Sequence, residues 1–65
     1  MHTATTAAFR LFLAHRKTRS SADLAAYRTA HKALTVEQSR ELRAVLDRRF
    51  ALLTELEALE AQASL

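Results

Sequence analysis

From Thr35 to Leu65 the chain carries an unbroken helical pattern with neither glycine nor proline to end it, and this stretch limits what the rest can become. Thr35 stands three residues ahead of Gln38, the spacing of a capping box, in which each side chain satisfies a backbone N–H left free at a helix start. Leu42, Val45, Leu46, Leu52, Leu53, Leu56 and Leu59 then recur at three- and four-residue steps. The spacing predicts one helix of about eight turns, roughly 45 Å long. Leu42, Leu56 and Ala63 alternate with Val45, Leu52 and Leu59 as a heptad seam of coiled-coil character, with Leu46 and Leu53 on its flank. Arg49 falls at the centre of that seam, where a basic side chain is costly in a dry contact. It either snorkels, fixes register at some loss of stability, or meets an acid, for which Asp23 of the same chain and Glu60 of a second chain are the candidates.

The remaining chain reads as two shorter helices. Strand formers are scarce, with Val36 and Val45 the only valines and no isoleucine, so the fold class is all-α. Helices are expected over residues 3–17, 21–33 and 36–63 of a single domain spanning 1–65. The six polar residues Arg16, Lys17, Thr18, Arg19, Ser20 and Ser21 mark a break, and Ser20 three before Asp23 gives the start signal of the next helix. The alternative is one kinked helix, because Leu24, Tyr27, His31 and Leu34 stay in phase with Phe9 and Leu13 if the helix continues. On either reading the turn at Leu34 and Thr35 folds the N-terminal arm back antiparallel on the long helix, as a small bundle or hairpin.

The first helix is apolar nearly all round: Ala4, Ala7, Ala8, Leu11 and Ala14 lie opposite Phe9, Phe12 and Leu13. The aromatic side is expected inward, leaving the alanine side to water or to a second copy. On the second helix Leu24, Tyr27, Ala30 and His31 form the inner face, with Tyr27 a core aromatic whose hydroxyl reaches the surface and His31 a packed, hydrogen-bonded histidine.

Sixty-five residues bury only about 60% of the surface they expose when unfolded, so a chain this small needs reinforcement. Cysteine is absent, which removes disulfides and fits a cytoplasmic protein. His2, His15 and His31 are far apart with no thiolate beside them, so neither a metal nor another cofactor is expected. Self-association remains, as a homodimer or with a helical protein partner, through Leu42, Val45, Arg49, Leu52, Leu56 and Leu59.

Charge offers a second possibility of contact. Residues 1–34 hold Arg10, Arg16, Lys17, Arg19, Arg28 and Lys32 against Asp23 alone, whereas the long helix carries four arginines against six acids and ends in Glu55, Glu57 and Glu60. Such a dipolar chain can pair antiparallel with itself, or present its basic half to the phosphates of a nucleic acid. A recognition helix is not legible, for no segment groups basic and amide side chains on one face. Nor is an enzyme: no nucleophile, base and orienting group stand at a suitable spacing, and no glycine-rich loop exists to hold a phosphate or other small substrate. No apolar run reaches the ~18 residues of a membrane span. The first twenty-two residues, rich in Arg, Ser and Thr and free of acids, resemble a transit peptide in composition. They read instead as a basic first helix, since removing them leaves too little chain for a domain. The sequence therefore leads to a non-enzymatic, self-associating helical module, an adaptor, inhibitor or regulatory protein, with nucleic-acid binding as the alternative.

Overall fold

The computed structural model describes residues 1–64; Leu65, the last residue of the stretch that begins at Thr35, lies outside them. Three helices make up the described chain, α1 (Thr3–Thr18), α2 (Ser21–Lys32) and α3 (Val36–Ala63), with no strand among the described residues. Each boundary has a local cause. The Ser20 hydroxyl accepts from the Asp23 N–H at 3.1 Å and opens α2. At α3 the capping box is complete: the Gln38 N–H donates to Thr35 Oγ1 at 3.1 Å, and the Thr35 N–H donates to Gln38 Oε1 at 3.0 Å.

The break that separates α1 from α2 is made by Arg19, which sits in the left-handed region at φ 57 and ψ 18 and donates its N–H to the His15 carbonyl. Glycine usually fills this position, and the chain contains none. A side chain at Cβ there costs roughly 1 kcal/mol. Arg19→Gly is accordingly expected to raise the melting midpoint by several degrees, at about 4–8 °C per kcal/mol for a chain of this size. A lower midpoint in differential scanning calorimetry would contradict that reading.

Two connections decide how the helices lie. The Thr18 hydroxyl donates to the Asp23 carboxylate, and the Phe12 ring meets Tyr27 edge-on at 5.6 Å, so α2 runs back against α1. Against α3, His2 meets Glu41 and Phe12 meets Arg49, contacts that advance together along both helices. Thus α1 lies alongside α3 in the same direction. This corrects the expectation that both short helices fold back antiparallel: two successive reversals restore the original direction, and only an unbroken N-terminal arm would have run wholly the other way. α2 and α3 make only slight contact with each other.

The core is small. Thr5, Ala8 and Leu42 are the only fully covered residues among those described, and they lie between the His2–Glu41 and Phe12–Arg49 contacts. Small side chains at Thr5 and Ala8 fit a close helix approach, so the inward face of α1 is neither of the two faces expected from its pattern. Ala8 comes from the alanine side and the half-buried Phe12 from the other, while Leu13 is turned partly to solvent. Stacked Phe9 and Phe12 rings, 6.4 Å apart, continue through Tyr27 to His31. Burial raises the pKa of the Tyr27 hydroxyl. His31 is exposed and its imidazole makes no hydrogen bond among the described residues, contrary to its expected packing; the ring lies 5.9 Å from that of Tyr27 at the free end of the aromatic row.

Candidate interaction surface on the long helix

Beyond Phe50, every described residue of the chain is exposed. α1 ends and α2 has turned away before they can follow α3, whose 28 residues extend roughly 42 Å at 1.5 Å per residue. The overhang dominates the shape, which measures 46 × 26 × 13 Å with a radius of gyration of 14.2 Å, against about 11 Å for a compact chain of this length. The surface left open is apolar. Leu52, Leu56 and Leu59 are 50%, 49% and 57% exposed, Leu53 joins them on the same side, and Phe50 stands 73% exposed at the root.

The interface residues expected from the seam therefore divide. Leu42 is 1% exposed and covered within its own chain, so it belongs to the core and not to a free contact face. Val45 and Arg49 are half-buried, Arg49 against Phe12 of α1. Leu52, Leu56 and Leu59 are open. The guanidinium of Arg49 lies over the Phe12 ring, 5.6 Å from its centroid, where the electrons of the ring face offset part of the cost of covering the charge. Asp23 is not its partner: that carboxylate accepts from the Thr18 hydroxyl, the largest cause of its lowered pKa, while burial opposes the shift.

A contact the sequence did not reveal pins the start of α1. His2 offers no side-chain cap and α1 has no acid in its first turn. Glu41 of α3 supplies both functions, accepting the His2 backbone N–H at 2.8 Å with His2 Nδ1 at 3.2 Å from its other oxygen. That N–H, more than any other group, holds the Glu41 carboxyl below its usual range. The Thr5 hydroxyl also lies near this carboxylate and lowers its pKa, but in a geometry too poor for a hydrogen bond, which leaves Thr5 Oγ1 buried without a partner.

Because the folded-state pKa values of Asp23 and Glu41 are depressed, their contribution to stability is present above the ordinary carboxylate range and is lost as the pH falls through the folded values. The melting midpoint is expected to stay level near neutrality and to fall below about pH 4. The difference between the native chain and Glu41→Gln should shrink over the same interval in a pH series of thermal melts.

Two open grooves flank α3. The larger, about 790 Å³, lies between the end of α2 and the start of α3. His31, Ser39 and Asp47 line it without hydrogen bonds to one another, and the exposed Arg43–Asp47 pair at 4.0 Å contributes little. The smaller, about 380 Å³, opens where α1 diverges from the root of the overhang, with Phe12, Leu46, Phe50 and Leu53 as its apolar lining and Arg16 and Arg49 as its basic groups. Among the described residues no group of three His, Cys, Asp or Glu side chains could hold a metal ion. Among the described residues no helix is long and apolar enough to cross a membrane.

The basic residues Arg10, Arg16, Lys17, Arg19, Arg28 and Lys32 are all exposed on α1, α2 and the turn between them, and none forms an ion pair among the described residues. His15, Arg16 and Lys17 occupy the last turn of α1, where positive charge is favoured by the helix dipole, so part of this cluster has a structural cause. No model of a known protein family matches the chain, and no curated protein or solved structure does so significantly.

Proposed function

We infer that the chain is a non-enzymatic helical interaction module that self-associates through the open half of α3, acting as an adaptor, inhibitor or regulatory protein. The observation that carries this reading is area. The chain exposes 5184 Å², whereas a compact folded monomer of 7.3 kDa exposes roughly 4200 Å². The excess, about 1000 Å², is of the size each partner buries in a standard protein interface, about 800 Å². Every described residue beyond Phe50 is exposed, and the leucine ridge there makes an apolar face of the kind that marks a contact with another protein. Both grooves are open to solvent and assemble no reacting groups, which supports a binding role over catalysis.

Light scattering on the purified chain tests the reading. A mass twice 7.3 kDa, falling towards 7.3 kDa on dilution, is the expected result. A 7.3 kDa species at every concentration would overturn it. The six exposed basic side chains, without ion pairs among the described residues, support the second reading, phosphate contacts to a nucleic acid with little sequence preference. Its signature is a labelled duplex bound at low salt, released steeply as salt rises, and lost when Arg16, Lys17 and Arg19 are changed to Glu.

A further inference from the structure

Resting on the self-association reading, we propose that the second copy lies antiparallel on α3, its acidic end seated in the groove between Arg16 and Arg49. Three observations lead there. First, the charges at the end of α3 oppose its own dipole: Glu55, Glu57 and Glu60 crowd towards the negative pole, and the last turn holds no basic residue. None of these carboxylates has an ion-pair partner among the described residues, which leaves them open to cations on a second copy.

Second, the matching positive charge lies at the root of the same helix. Arg16 and Arg49 face the smaller groove beside an apolar lining from Phe12, Leu46 and Leu53, so the site offers both a seat for leucine side chains and cations for carboxylates. Glu57 of the same chain stands at the rim without pairing to either arginine.

Third, the heptad spacing selects a register that joins the two. In antiparallel helices the two seam positions face each other across the contact. Pairing centred on Thr54 sets Leu52 against the partner's Leu56, both on the open part of the helix. The same register brings the partner's Leu59 and Glu60 to Arg49, and symmetry repeats every contact at the other end. Parallel pairing would place each carboxylate beside its own copy and leave both grooves empty. Like charges then repel where the overhang most needs cover.

The absence of cysteine makes the arrangement directly measurable, because Gln62→Cys carries one spin label per chain at an exposed position near the end of α3. Antiparallel pairing about Thr54 separates the two labelled backbones by roughly 25 Å, while parallel pairing leaves them about 10 Å apart. In parallel, Arg49→Glu and Glu60→Arg are each expected to weaken association about tenfold, the effect of exchanging an attractive for a repulsive pair at a part-covered site, and the double variant to recover most of that loss. A dimer with the short label distance, or one with no recovery in the double variant, overturns the antiparallel arrangement and leaves self-association standing. A chain that remains a monomer at all concentrations overturns both.

Discussion

Leu42→Ala is expected to bring the chain close to unfolding at room temperature. Among the described residues Leu42 is the one large apolar side chain that the protomer covers fully, and it sits between the two contacts that tie α1 to α3. Truncating a buried leucine costs about 2–5 kcal/mol, through lost burial and the cavity left behind. A chain of this size has roughly 3–10 kcal/mol in all, so the substitution removes a large share of it. The melting midpoint should fall by 10 °C or more, at about 4–8 °C per kcal/mol. Leu42→Met, which nearly keeps the volume, should cost under about 1.5 kcal/mol. If Leu42→Ala melts within about 3 °C of the native chain, Leu42 does not hold the helices together, and the description of the core is wrong.

Leu56→Asp should have the opposite signature, with the N-terminal core spared and the association lost. Leu56 is 49% exposed and packs on neither short helix, so the change removes little from the protomer itself. In the middle of an apolar contact, by contrast, a carboxylate must be stripped of water without a partner, which prevents assembly. The overhang then stands alone. An isolated helix shorter than about 12–15 residues is marginal in water, so residues 51–64 should fray and the far-UV helical signal should fall by about a fifth. A variant that retains both the native mass and the native helical signal would remove the ridge from the account.

The two substitutions separate what the sequence could reveal from what it could not. Helix limits were legible because their causes are local: Ser20 with Asp23, and Thr35 with Gln38, need only residues three apart. So was the ridge, since a helical period declares itself in one stretch. The direction of α1 along α3 was not, nor was Glu41 as the cap of His2, because contacts between residues far apart leave no mark in either segment. α1 is also apolar on nearly every side, so its pattern could not choose a face, and the fully buried Thr5 stood outside both faces considered. Arg49 stands out in the seam as a charge at an apolar position, but what meets it is the Phe12 ring on another helix, a partner that no spacing within α3 reveals. The split of the seam at Phe50 depends on where α1 and α2 stop covering α3, a property of packing and not of period.

The central claim is that the second half of α3 is sheltered by another copy of the chain. Amide hydrogen exchange of residues 51–63, followed as a function of protein concentration, tests it most directly, because exchange reports the opening of each helical turn. Protection of these amides should deepen as concentration rises and vanish in Leu56→Asp, while the amides around Leu42 stay protected throughout. Protection over 51–63 that is equally strong at every dilution, in a species of 7.3 kDa, would show that the overhang stands without a second copy and would contradict the account.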